Sequence, residues 1–293
     1  MRILFIGSVA FSASALNKLI QLKANIVGVC APKYFQNNAD YVDLSPIAKA
    51  ANISFHLFED INSSTSFEWI SSKNPDIIFC FGLSSLIKHE LLALPPKGVL
   101  GYHPAALPLN RGRHPLIWAL ALGLTETAST FFFMNDAADA GDIISQVPVE
   151  ILPNENAGLL YSKITKVAML QIEQLLALLE GEAYKVIRQD ESRANLWRKR
   201  SELDGHIDWR MSSASIHNLV RALAKPYPGA DFLYKQQYIK VWSSRIMDCN
   251  NRNYEPGKVI YLEGEKPIVK CGEGAICLLE LEPEIKISVG DYL

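Results

Sequence analysis

The chain carries little net charge. Its 29 Lys and Arg face 31 Asp and Glu, a formal net charge of −2, so no strong field draws in nucleic acid or an anionic membrane. From Ser201 to the end, 11 basic residues face 13 acidic ones, so the C-terminal part has no basic excess either. Long apolar runs are missing: none approaches the ~18 residues a membrane helix needs. The opening run, Met1 to Gly7, is too short for a secretory signal or a span and reads as a strand. Cysteine is scarce. Cys30, Cys80, Cys249, Cys271 and Cys277 make five, an odd number, with no Cys-x-x-Cys pair. That pattern predicts reduced packing thiols in a cytoplasmic protein and argues against a zinc site or a disulfide framework. Internal repeats and low-complexity tracts are absent.

What is present is core-forming. Of 293 residues, 49% are apolar, enough for one large domain or a large one with a smaller companion. Arg2 to Gly7 reads as a strand, and Ala10 to Leu22 has helical spacing. Strands are expected at Asn25 to Cys30, Ser54 to Phe58 and Asp76 to Phe81; the last is nearly continuous apolar, as in a strand buried on both faces. Short helices are expected at Ser45 to Ala51, Ser64 to Ser72 and Leu86 to Leu92. Further strands follow at Gly98 to His103, Ala128 to Met134 and Ile143 to Glu150, with a helix from His114 to Leu122. Alternating βαβ units argue for a largely parallel twisted sheet with helices on both faces. Asn156 to Glu180 reads as one long helix with an apolar stripe, stopped by Gly181. Val186 to Arg200 is polar and reads as a linker. Beyond it, a short helix at Ile216 to Ala224, capped by Ser213 or Ser215, precedes several short strands that suggest a small β-barrel.

The chemistry concentrates in two loops. Gly98 to Pro115 ends an apolar run at His103, turns at Pro104 and Pro108, and enters a basic loop, Arg111-Gly112-Arg113. A second polar loop, Asn135 to Asp142, carries Asp139 one crossover helix and one return strand away. A histidine and a carboxylate on loops at strand ends suit a general base and the group that orients it. Each alone also fits an ordinary loop histidine and a turn or cap carboxylate; the pair, with the Arg111-Gly112-Arg113 loop between, is more specific.

These segments carry a resemblance to the folate-dependent formyltransferases. Gly101-Tyr102-His103-Pro104-Ala105-Ala106-Leu107-Pro108-Leu109-Asn110-Arg111-Gly112 is similar to that family's core loop, Asn-x-His-x-Ser-Leu-Leu-Pro-x-x-Arg-Gly. Asp139-Ala140-Gly141-Asp142 resembles its acidic loop. Gln189 to Ser192 and Asp204 to Trp209 resemble its linker and C-domain entry; Leu219 to Ala230 and Val241 to Ser244 resemble the C-domain of its sugar-modifying members. The resemblance implies an α/β fold: a Rossmann-like N-domain over 1–185, a linker over 186–203, and a smaller OB-type β-barrel domain over 204–293. It implies transfer of a formyl group from 10-formyltetrahydrofolate to a primary amine. His103 would take the amine proton, with Asp139 hydrogen-bonded to the other ring nitrogen. Arg113 and the backbone of Asn135, Asp136, Ala137, Ala138 and Asp139 would contact the folate, with similar contacts from Phe81 to Leu83. No metal is needed, because the formyl donor is already an activated acyl group.

The pattern breaks at Gly101, where the family has an asparagine that would donate to the developing oxyanion; losing one such donor costs about 10²–10³ in rate. A backbone N–H or a nearby side chain (Asn110, Tyr102 or His114) could replace it, or an ordered water, or the chain is a catalytically degenerate binding relative. Ala105 at the family serine is a milder departure. Family members that act on initiator methionyl-tRNA carry a long basic loop after the second strand. Pro32 to Leu44 is short, holds only Lys33, and offers Tyr34, Phe35, Gln36, Asn37, Asn38 and Tyr41. That loop is equally consistent with a solvated segment and with contacts to a sugar and nucleobase. With no basic excess, tRNA is disfavoured and a nucleotide-linked amino sugar is the expected acceptor, with methionyl-tRNA as the alternative. No membrane partner is expected, and a homodimer is left open.

Overall fold

The computed structural model describes residues 1–33, 39–249, 251 and 253–293. The chain divides into two compact units. The first comprises Met1–Pro115, Thr127–Val149 and Ser162–Trp197; the second comprises Leu116–Glu126, Glu150–Tyr161 and Arg198–Leu293. In chain order the strands are β1 (Arg2–Ile6), β2 (Asn25–Pro32), β3 (Phe55–Phe58), β4 (Ile77–Cys80), β5 (Val99–His103), β6 (Arg111–Gly112), β7 (Glu126–Phe133), β8 (Ile143–Glu150), β9 (Leu196–Trp197), β10 (Ala230–Tyr234), β11 (Gln237–Met247), β12 (Val259–Glu263), β13 (Lys266–Lys270) and β14 (Ala275–Glu282). The helices are α1 (Ala10–Gln21), α2 (Ser45–Ala50), α3 (Ser64–Ser72), α4 (His89–Leu92), α5 (Pro115–Ala121), α6 (Ala157–Glu180) and α7 (Ser213–Leu223).

The first unit holds a seven-stranded sheet in the order β3-β2-β1-β4-β5-β7-β8. The β1–β5 strands are parallel neighbours, and β7 joins β5 antiparallel. The order reverses at β1: the chain works outward to β3, then returns to place β4 on the other side of β1. In such sheets, ligands bind outside the carboxyl ends of the strands at the reversal. The expected apolar runs occupy the centre, with Phe5, Phe79, Phe81, Phe131 and Phe132 fully buried. Phe81 meets Phe5 edge-on at 5.7 Å and Phe131 at 5.4 Å, while Tyr102 stacks on Phe11 at 4.0 Å. This aromatic packing favours offset and edge-to-face contacts.

The segment read as a linker is docked on the first unit over residues 187–197. Ile187 and Ile143 exchange two backbone hydrogen bonds, Gln189 is buried, Asp190 caps a short 3-10 turn at Glu191–Arg193, and β9 pairs in parallel with β6.

The second unit is built on a five-stranded antiparallel sheet, β10-β11-β14-β13-β12. No ladder joins β10 to β12 among the described residues, so the strands form an open sheet where the sequence predicts a small barrel. The amphipathic α7 buries Ile216, Leu219, Val220 and Leu223; its cap is Ser212, whose Oγ accepts from Ser215 N at 3.1 Å. Four of the five cysteines are buried and all are free thiols; burial pushes the Cys80 and Cys271 thiols up to about 12, which leaves them inert. No described helix is long and apolar enough to cross a membrane.

Candidate active site

β5 ends at His103, which is 5% exposed. The turn that follows is fastened by polar side chains of the neighbouring strands. Thr130 Oγ1 donates to Ala105 O at 2.6 Å, and Gln146 Nε2 donates to Leu107 O and to Thr130 Oγ1, both at 2.9 Å. The turn brings the Asn110 carbonyl back to 2.8 Å from His103 Nε2. A carbonyl only accepts, so Nε2 carries the proton in the neutral ring. The other nitrogen, Nδ1, faces Asp139 Oδ2 at 3.6 Å. A second proton on the ring would therefore sit between Nδ1 and the carboxylate. The predicted pair meets, but the nitrogen expected to face the substrate is engaged by Asn110.

Asp139 lies on the loop between β7 and β8 with a left-handed φ of 55°. Its Oδ2 accepts from Gly112 N at 2.9 Å. The loop closes at Gly141, where a Cβ would lie 1.6 Å from Phe133 O, so only glycine lets the two ends cross. Asn135, Asp136, Ala137 and Ala138 are exposed. Asn135 Oδ1 accepts from Ala137 N at 3.0 Å, and Asp136 Oδ2 lies 3.5 Å from His89 Nδ1.

Arg113 leaves the same basic loop and donates from Nη1 to Ser84 O at 3.1 Å, beside the half-buried Leu83. Phe81 lies elsewhere. Its ring belongs to the aromatic core, its N–H donates to Ile6 O at 2.9 Å, and its carbonyl accepts from Ser12 Oγ at 2.5 Å. The structure thus gathers His103, Asp139 and Arg113 around one loop, leaves 135–138 open at its rim, and turns Phe81 inward. Of the acceptor-loop residues, Tyr34, Phe35, Gln36, Asn37 and Asn38 lie outside the described residues.

Residues 1–175 match the formyl transferase family, and residues 200–291 match its C-terminal domain. The chain belongs to the formyl transferase family. The solved structures that share this fold include the following three. An N-formyltransferase from Helicobacter canadensis, in complex with folinic acid and dTDP-3-aminofucose, is 17% identical with a TM-score of 0.72, over 94% of this chain and 98% of that one. WlaRD, a sugar 3N-formyl transferase solved with dTDP and 5-N-formyl-THF, is 18% identical with a TM-score of 0.70, over 97% and 99%. HypX from Aquifex aeolicus, in complex with tetrahydrofolic acid, is 18% identical with a TM-score of 0.66; the match covers 96% of this chain but spans only 44% of HypX.

The glycine of this formyl transferase's core loop has a structural counterpart. Gly101 pairs with Phe132 across β5 and β7. A Cβ at 101 would lie 2.9 Å from both Phe132 Cζ and Met134 Cγ. The space of the missing side chain is filled by an aromatic ring and a thioether. Tyr102 points the other way: its hydroxyl sits 3.2 Å from Ser129 Oγ in the core, where burial pushes its pKa up.

Proposed function

We propose that this chain transfers the formyl group of 10-formyltetrahydrofolate to the amine of a nucleotide-linked amino sugar. The observation that carries the reading is the His103–Asp139 pair, 3.6 Å apart, with His103 at the carboxyl end of β5 and Asp139 on the loop between β7 and β8. The near full-length likeness to two sugar formyltransferases supports the substrate class. A Rossmann-like domain over 1–185, a linker over 186–203 and an OB-type domain over 204–293 fit the same reading.

The residues present suit a folate. The open backbone at 135–138 offers donors and acceptors to a planar heterocycle, joined by Leu83, and the Arg113 guanidinium suits an anionic tail. The formyl donor supplies an activated acyl group, so the protein's task is proton transfer and positioning. When an amine displaces the Asn110 carbonyl from Nε2, the ring proton moves to Nδ1, where Asp139 accepts it. Nε2 then holds the lone pair that takes the amine proton.

Gly101 has no side chain to supply the oxyanion donor, and Tyr102 faces the core; of the replacements that stay open, which include His114, a backbone N–H and an ordered water, we favour Asn110. Its backbone carbonyl touches the imidazole, and its side chain carries an amide of the kind an oxyanion donor needs. The chain's slight negative charge disfavours tRNA as acceptor. The free, buried thiols suit a cytoplasmic location.

The test is His103→Asn. It is expected to abolish transfer while folate binding, followed by calorimetry with folinic acid, stays near wild type. Full turnover in that variant contradicts the role of His103. A wild-type chain that binds folinic acid but formylates no amine favours the binding-relative reading.

A further inference from the structure

We propose that Gln189 is a positioning residue for the acid of the site: it fixes Asp139, and through it His103. The proposal rests on reading that pair as the base and its partner. Gln189 sits in the stretch that the sequence presents as a polar linker, yet it is 5% exposed. Its amide is fully used. Oε1 accepts from Arg111 Nε at 3.1 Å and Nη2 at 2.8 Å; Nε2 donates to Asp139 O at 2.8 Å and to Gly141 O at 2.7 Å. An amide offers two donors and two acceptor lone pairs, and here each has a partner.

Both donor bonds land on the acid loop, one of them on the acid itself. Asp139 holds a left-handed backbone, φ 55°, that aspartate adopts more readily than most residues. Gln189 restrains its carbonyl while Gly112 N restrains its carboxylate. Arg111, the anchor on the far side, is 8% exposed and is completed by a bidentate pair with Glu191, both contacts at 2.8 Å.

The same segment also reaches His103. Asn195 Oδ1 accepts from Asn110 N at 2.7 Å, and Asn195 O accepts from Arg111 N at 3.1 Å. These bonds set the Asn110 carbonyl on the imidazole. The segment from 189 to 195 thus grips the loops of both partners. Without the two donors of Gln189, two carbonyls lose their partners and the acid loop relaxes, carrying the carboxylate away from the ring.

The test is a double-mutant cycle on the full chain, with Gln189→Met, Asp139→Asn and the two combined. Thermal unfolding of each variant sets an assay temperature at which all are folded. Gln189→Met is expected to lower kcat about 10²-fold with KM for both substrates within about twofold, and to add no loss in the Asp139→Asn background. A purely structural role would make the losses multiply, and that result overturns the proposal, as does wild-type kcat in folded Gln189→Met. If Gln189→Met does not fold, Gln189→Glu repeats the cycle, since it keeps the side-chain volume and the acceptor for Arg111 but has no donor for the acid loop. Wild-type turnover in both His103→Asn and Asp139→Asn would instead sink the reading of the pair. Loss in those two beside an unaffected Gln189→Met sinks the positioning role alone.

Discussion

Gly101 and Phe132 face each other across β5 and β7, and the Phe132 ring occupies the space that a side chain at 101 would enter. Gly101→Asn therefore does not restore an oxyanion donor. It forces a buried ring and Met134 aside, an overpacking that costs about 1–3 kcal/mol. Denaturant unfolding is expected to show that loss, with turnover at or below wild type. Higher turnover at unchanged stability would mean that the site accommodates an amide there.

Asn110 touches the imidazole through its backbone carbonyl and is the proposed oxyanion donor. Its φ of 65° is one that asparagine, aspartate and glycine tolerate. Asn110→Asp keeps the backbone carbonyl on His103 but removes the side-chain donor, and is expected to lower kcat about 10²–10³-fold. Asn110→Gly, free of strain, should match it. Wild-type kcat in both variants places the donor elsewhere.

The crossing at Gly141 leaves no room for a methyl group, because the obstacle at 1.6 Å is a backbone carbonyl. Gly141→Ala is expected to cost more than about 3 kcal/mol and to remove turnover, since the acid loop must shift to admit it. Thermal unfolding with a transfer assay checks both effects.

In the second unit, burial and the Arg221 guanidinium hold His217 below the usual imidazole range, while Ser244 Oγ sits 3.0 Å from its Nδ1. A folded-state value below the unfolded one means that the unfolded chain binds the proton first. The stability contributed by the neutral ring is complete above about pH 6.5 and is lost as pH falls toward the folded value. His217→Asn should flatten the decline in denaturant midpoint between about pH 7.5 and pH 5. An unchanged slope contradicts the linkage.

Much of this fold was legible because apolar runs mark buried strands. Asp76 to Phe81 announced β4, and the run ending at His103 announced β5. The direction of β7 was not legible: a strand buried on both faces reads the same parallel or antiparallel to its neighbour. Ser212, Ser213 and Ser215 are equivalent as local caps, so only packing decides that Ser212 takes the role. At the site, His103 and Asp139 stood out by residue type and loop context, and Arg113 only through the family resemblance. Gln189 did not, because a glutamine in a polar stretch carries no periodicity and its three partner residues, Arg111, Asp139 and Gly141, are distant in sequence. The ring filling the Gly101 position depends on cross-strand register, which turns and pairing set together.

The most direct measurement is a mass-spectrometric transfer assay with 10-formyltetrahydrofolate and a panel of UDP-, dTDP- and GDP-linked amino sugars. Wild type and His103→Asn are run side by side. The account predicts that one sugar gains the mass of a formyl group with the wild-type protein and none does with the variant. No gain on any sugar while folinic acid still binds, or an equal gain with the variant, would contradict it.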